Sequence, residues 1–82
     1  MLPRKQLLAA LEYLARQLNI LIRYEKTAAR GGLCLHNGQH QIIIDRKATD
    51  AFKIDVITNA VTTFDLSGIY LSPKLRDLFE IL

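Results

Sequence analysis

The sequence predicts an α+β fold: an N-terminal helix, a three-stranded and mainly antiparallel sheet with an Asn-Gly hairpin, and two C-terminal helices on one face of the sheet. Three observations support this prediction. Apolar residues recur at helical spacing at both ends of the chain, they alternate in the middle, and an Asn37-Gly38 pair separates two alternating segments. Half of the 82 residues are hydrophobic, so we expect a single domain, 1–82, with one packed core.

The first helix is predicted to begin near Pro3, because a proline in the first turn leaves no N–H unpaired. Its apolar stripe consists of Leu7, Leu8, Leu11, Leu14, Ala15 and Leu18. Asn19 is expected to be its C-cap. The spacing then changes to alternation and predicts a strand from about residue 20 to 25. One face of this strand carries Ile20, Ile22 and Tyr24, and the other carries Leu21, Arg23 and Glu25.

The segment from Gly31 to Asp45 is predicted to form a β-hairpin. Asn37 and Gly38 suit a two-residue type I′ turn, which needs positive φ at both central positions. With this turn the apolar face, expected to meet the helices, carries Leu33, Leu35, His40, Ile42 and Ile44. The opposite face carries Cys34, His36, Gln39, Gln41 and Ile43. A three-residue turn would mix Cys, His and Ile on one face, so we prefer the two-residue turn.

A second helix is predicted from about residue 50 to 64, with either Thr49 or Asp50 as its cap. Its buried stripe is predicted to consist of Phe52, Val56, Ile57, Ala60, Val61 and Phe64. Lys53 and Asp55 are expected to lie outside that stripe.

A turn over residues 65–68 and an extended segment over 69–71 should lead to the last helix, 73–82. Ser72 followed by Pro73 is a good N-cap and first-turn pair for that helix. Its apolar positions are Leu75, Leu78, Phe79 and Leu82.

Composition narrows the class of protein. The net charge of +3 is mild and scattered, whereas a nucleic-acid-binding protein more often has a basic stripe. A patch at one end of the sheet, formed by Arg23, Lys26, Arg30, Arg46 and Lys47, would support weak nucleic-acid binding as a second alternative. The single cysteine excludes an internal disulfide and favours the cytoplasm. No apolar run is long enough to span a membrane.

Cys34, His36 and His40 lie close together in the sequence and are the candidates for a thiol- or metal-dependent activity. Zinc needs converging ligands, and the preferred register places the two histidines on opposite faces of the hairpin. A nucleophilic Cys34 would need a base and a group that orients the base, and only His36 is near in sequence. This activity is therefore the alternative hypothesis, and we predict no catalytic residue, no metal and no cofactor.

The high content of apolar residues suggests a binding surface instead of a catalytic or metal site. One small core is not expected to accommodate Leu21 and the apolar residues near the C-terminus, so an exposed patch is predicted. The predicted interaction surface consists of Ile69, Leu71, Phe79, Ile81 and Leu82. The partner would be another protein or a second copy in a homodimer.

The run Ile42-Ile43-Ile44-Asp45, followed by a short polar loop and a helix, resembles the core of ImmA/IrrE-type zinc peptidases. The likeness covers about residues 5–64 and concerns the pattern of elements. In that family the helix after the last strand bears HExxH, but this chain has Asn59-Ala60-Val61-Thr62-Thr63 there. The resemblance therefore implies a minimal scaffold without the zinc ligands or the glutamate base. The chain also resembles short bacterial proteins, a likeness that implies no function. We thus predict a non-enzymatic interaction module.

Overall fold

The computed structural model describes residues 3–26 and 32–80. The elements, in chain order, are α1 (Arg4–Gln17), β1 (Leu21–Glu25), β2 (Gly32–His36), β3 (Gln39–Asp45), α2 (Asp50–Val61) and α3 (Pro73–Glu80). This confirms the predicted α+β fold and its order of elements. Residues 27–30, between the predicted strand and the predicted hairpin, lie outside the described part of the chain, as do Gly31 of the hairpin and residues 81–82 of the predicted last helix.

The three strands form one mixed sheet in the order β1-β3-β2. The central strand β3 pairs with β1 in parallel and with β2 in antiparallel orientation. Ile42 of β3 lies between Ile22 of β1 and Leu33 of β2, so these three side chains share one face of the sheet. The two outer strands, β1 and β2, are the two edges.

The hairpin between β2 and β3 has the predicted two-residue turn. Asn37 has φ 51° and Gly38 has φ 77°, and His36 pairs directly with Gln39 on either side of the turn. The resulting register confirms the predicted faces: Ile42 and Ile44 are fully buried on the helix-covered side.

Helix α1 ends in a Schellman motif, which turns the chain into β1. The N–H of Ile20 donates to the carbonyl of Ala15 at 2.9 Å, and the N–H of Asn19 donates to the carbonyl of Arg16 at 3.0 Å. The C-cap is Leu18, so the prediction of Asn19 was wrong by one residue. Asn19 instead takes the next position with φ 60°, where asparagine is tolerated in the left-handed region.

Helix α2 begins after Thr49, whose side-chain oxygen accepts a hydrogen bond from the N–H of Phe52 at 3.1 Å. It ends at Val61, three residues earlier than predicted. The hydroxyls of Thr62 and Thr63 donate to carbonyl oxygens of the last helical turn, and this competes with further helix formation.

The predicted buried stripe of α2 was wrong at Phe52, which is 37% exposed. Ile54, absent from the prediction, is buried in its place, together with Ile57, Ala60 and Val61. The helix is apolar over much of its circumference, so the sequence pattern alone did not determine which side meets the core.

The core lies between the helices and one face of the sheet. Helix α1 packs against α2, β1 and α3, and α2 packs against both β2 and β3. The buried apolar residues are Leu11, Leu14, Ala15, Ile20, Ile42, Ile44, Ile54, Ile57, Ala60, Val61 and Leu75. The helices therefore cover one face of the sheet, and β2 lies at its border.

Candidate interaction surface at the β2 edge

Strand β2 presents unpaired backbone groups at the edge of the sheet. The pair that closes a two-residue hairpin exchanges both backbone hydrogen bonds, so the N–H and C=O groups of His36, Cys34 and Gly32 point to β3. The N–H and C=O groups of Leu33 and Leu35 therefore point away from the sheet. Within residues 3–26 and 32–80, no backbone group pairs with this outer edge.

The side chains of the same two leucines are poorly covered. Both point to the helix-covered face, but Leu33 is 37% exposed and Leu35 is 63% exposed. Their predicted face is confirmed, although the helices do not reach far enough over β2 to bury them. Leu33 and Leu35 thus each combine an exposed apolar side chain with backbone groups that point away from the sheet.

A shallow groove of about 280 Å³ lies beside this edge, between β2 and α2. Gly32 and Leu33 form its strand side, and Val56, Asn59, Ala60 and Thr63 form its helix side. Asn59 on α2 and Thr63, two residues beyond the end of α2, are exposed, so polar groups border the apolar residues of the groove.

The other edge strand, β1, carries charges. Arg23 forms an ion pair with Glu25 on the open face of the sheet, and Arg23 also donates to Gln41 Oε1 at 3.4 Å. In contrast, β2 has no acidic or basic side chain apart from the imidazole of His36.

On its helix-covered face, β1 is tied to its neighbours by Tyr24. The Tyr24 hydroxyl donates a hydrogen bond to the Glu12 carboxylate of α1. The Lys53 ammonium lies 5.0 Å from the Tyr24 ring centroid. Partial burial, and then the hydrogen bond and charge of Glu12, raise the pKa of the Tyr24 hydroxyl.

The structure does not bring the three candidate hairpin residues together. Cys34 and His36 are exposed on the open face, whereas His40 lies on the opposite face with its ring 5.0 Å from that of Phe64. His36 Nε2 lies 3.3 Å from the side-chain nitrogen of Asn37. In the described ranges there is no group of three or more His, Cys, Asp or Glu residues able to hold a metal ion.

Three residues of the predicted interaction surface are half-buried. Ile69, Leu71 and Phe79 pack against the core, and residues 81 and 82 lie outside the described part of the chain. Leu21 is 49% exposed on the open face of β1. The involvement of this C-terminal region in binding stays a prediction.

Sequence reasoning missed a second groove, of about 320 Å³, between α1 and the segment that leads into α3. Tyr13 and Tyr70 line it, and both rings are largely exposed. The available signal was that Tyr13 lies outside the apolar stripe of α1.

Some of the scattered basic residues lie at one end of the sheet. Strands β1 and β3 are parallel and end at Glu25 and Asp45, so Lys26, Arg46 and Lys47 follow at the same end. All three are exposed. The Asp45 carboxylate lies at the same end and adds a negative charge to this group, and its Oδ1 accepts a hydrogen bond from the backbone N–H of Lys47 at 3.1 Å.

Comparison of the chain with protein-family models, with curated proteins and with solved structures finds no match. Among the described residues, no helix has both the length and the apolar character needed to cross a membrane.

Proposed function

We propose that this protein is a non-enzymatic interaction module that binds a protein partner, or a second copy of itself, by strand addition at the edge of β2. The observation that carries this proposal is the pair Leu33 and Leu35, whose outward backbone groups pair with no residue in the ranges 3–26 and 32–80 and whose side chains are exposed. In strand addition, backbone hydrogen bonds supply affinity and alternate side chains supply specificity. Both kinds of contact are available on these two residues.

The difference between the two edges supports the proposal. Sheet proteins commonly prevent unwanted edge pairing by placing charges on edge strands. β1 has such charges in Arg23 and Glu25, whereas β2 combines two leucines with an uncharged cysteine. We interpret the unprotected edge as the one that the protein uses.

The groove beside β2 supports binding without catalysis. If the chain is related to the ImmA/IrrE-type peptidases, its zinc-binding histidines are replaced by Asn59 and Thr63, which are among the residues that line this groove. An amide and a hydroxyl do not replace the imidazoles and thiolates that bind zinc, and Ala60 stands where the family has the glutamate that activates water. The groove would then accept side chains of the added strand. The relationship itself stays a prediction.

A cytoplasmic location is part of the proposal. The single Cys34 is an exposed free thiol, and a reducing compartment keeps such a thiol reduced.

A matched pair of charge substitutions tests the proposed surface. Leu35→Lys adds a charge beside the free backbone of β2, and Leu21→Lys adds the same charge at an exposed leucine of β1. We expect association to be lost in the first variant and retained in the second. Association would be measured by sedimentation over a dilution series, and by capture of partners from a lysate of the source cells.

Thermal unfolding of both variants is the control, because exposed positions should tolerate lysine with little loss of stability. Association that survives Leu35→Lys would contradict the proposal. So would a wild-type protein that stays monomeric and captures nothing that depends on Leu35.

A further inference from the structure

We infer that the strand added to β2 is β2 of a second copy, paired antiparallel about a two-fold axis at Cys34. This inference rests on the proposed function and identifies its partner. A two-fold contact requires a surface that complements itself. β2 meets this requirement because its outward-facing residues, Leu33 and Leu35, lie symmetrically on either side of Cys34.

The length of β2 selects one register. When Cys34 lies opposite the partner's Cys34, Leu33 lies opposite the partner's Leu35 and all five strand residues, Gly32–His36, have a counterpart. Shifting either strand leaves residues unpaired or extends the pairing into the turn at Asn37. In the centred register the outward N–H and C=O groups of both leucines exchange four hydrogen bonds with the second copy.

The leucine side chains meet on the helix-covered face of the combined sheet. Leu33 packs against the partner's Leu35, and the symmetric pair lies beside it, so four partly exposed side chains become covered. The two sheets join into one sheet of six strands with all helices on the same side, since a two-fold axis perpendicular to the sheet preserves its faces.

The spacing of the helices fits this arrangement. Helix α2 packs on both β2 and β3. With strands about 4.8 Å apart, a helix centred over that pair lies about 5 Å from the two-fold axis. The two α2 helices are then about 10 Å apart, which is the upper end of the distance between packed helices. Phe52 and Val56, neither of them fully buried, are available for this contact.

The pairing brings no like charges together. β2 contains no Asp, Glu, Lys or Arg, and neither does the set of residues that lines the adjoining groove. The net charge of +3 on each copy is therefore carried elsewhere and opposes association only through long-range repulsion, which salt screens.

Cys34 provides a direct test, because it lies on the axis. Its N–H and C=O groups point to β3, so the pair of Cys34 residues is a non-hydrogen-bonded pair with Cα atoms about 4.5 Å apart, within disulfide range. We would treat the protein with diamide, which takes up the two electrons and two protons released as the disulfide forms. The expected result is a covalent dimer that dithiothreitol reverses, formed at a rate well above that of the collision control.

The collision control is a Cys34→Ser, Lys74→Cys variant, which moves the single exposed thiol to α3. Adding Leu35→Lys to the wild-type background should abolish the rapid crosslinking. The mass of the untreated protein is measured in parallel by light scattering, and hydrogen exchange reports protection of the Leu33 and Leu35 amides in the dimer.

The outcomes separate this inference from the proposed function. A dimer with protected leucine amides but no rapid Cys34 crosslink overturns the two-fold register and leaves strand addition standing. A monomer that captures another protein in a Leu35-dependent manner overturns the second copy as partner. A monomer with rapidly exchanging leucine amides and no Leu35-dependent capture overturns both.

Discussion

The two edge strands of the sheet differ in how they meet solvent, although both pair with the same central strand β3. On β1, the Arg23–Glu25 ion pair covers the open face and Tyr24 connects the other face to α1. On β2, the outward backbone belongs to Leu33 and Leu35, whose side chains the helices cover only in part. Charged side chains on an edge strand oppose unwanted strand pairing, and β1 carries two of them. β2 has the same length and carries no such charge.

The sheet also distinguishes residues that stabilise the fold from residues that are available for binding. The residues of β3 that lie under the helices, Ile42 and Ile44, are fully buried and belong to the common core. The leucines of β2 lie outside that core, and Leu33 and Leu35 are 37% and 63% exposed. Substitutions that change one edge strand and leave the other unchanged can test whether the two strands differ in this way.

The largest expected effect comes from a pair of proline substitutions in β2. Cys34→Pro removes an N–H that points to β3 and leaves a carbonyl of β3 unpaired, at a cost of about 2–4 kcal/mol in the free energy of unfolding. Leu35→Pro removes an outward N–H and should cost less than about 1 kcal/mol. Both variants lose the contact at the outer edge of β2. The difference between their free energies of unfolding, measured by chemical denaturation, therefore reports the backbone hydrogen bonds between β2 and β3. Equal losses would mean that the two residues do not alternate as described.

Gly38→Ala is expected to weaken the hairpin that forms β2. The turn holds Gly38 at φ 77°, and a Cβ there meets no atom within 4 Å, so the cost is backbone strain of about 1–2 kcal/mol. Gly32→Ala is the matched control, since Gly32 is not at positive φ and also has open space around it. Thermal unfolding of the two variants should differ accordingly, and a neutral Gly38→Ala would argue against the type I′ turn.

On the β1 side, Tyr24→Phe removes the hydroxyl that donates to Glu12. We expect a loss of about 1 kcal/mol in the free energy of unfolding at pH 7. The raised pKa of Tyr24 favours its neutral form in the folded protein, so this contribution is present below pH 10.0, the ordinary tyrosine value, and falls as the pH rises above it. Denaturation between pH 9 and pH 11, chosen as roughly one unit on either side of that value, should show a shallower decline in the variant. Identical slopes would contradict this role.

The smallest effect on stability is expected for Arg23→Thr with Glu25→Thr. Both side chains are partly exposed, so losing their ion pair should change the free energy of unfolding by less than about 1 kcal/mol. The variant exposes a second uncharged edge, and sedimentation should therefore show species larger than those of the wild type. Asp55→Thr with Lys74→Thr removes the same charges from exposed helix positions and serves as the control. An unchanged mass would show that charge is not what protects β1.

Much of the fold was predictable because the turn preference of Asn-Gly and the alternation of apolar residues favour the same hairpin register. The Asn37-Gly38 turn fixed the hairpin register, and that register assigned Ile42 and Ile44 to the core. The buried side of α2 was not predictable, because Phe52 and Ile54 are equally apolar and only tertiary packing distinguishes them. The α2 end at Val61 depended on hydroxyl–carbonyl hydrogen bonds that apolar spacing does not reveal.

The candidate surface was harder to predict than the fold. The sequence placed Leu33 and Leu35 on an apolar face, which normally means burial. Their exposure depends on where β2 lies in the sheet, and the parallel pairing of β1 with β3 is what makes β2 an edge. Pairing between strands distant in sequence has no local signature, so this part of the surface became visible only in three dimensions.

The hairpin turn also has a consequence for the order of folding. Pairing between β2 and β3 joins residues no more than 11 positions apart, as Gly32 and Ile43 are, whereas each β1 residue pairs with one 20 positions away, as Leu21 does with Gln41. Hairpins close within about 1–10 μs, and more distant pairing is slower because it must overcome a larger loop-closure entropy. We therefore expect the hairpin of β2 and β3 to form, and the outer edge of β2 to be presented, before β1 joins the sheet.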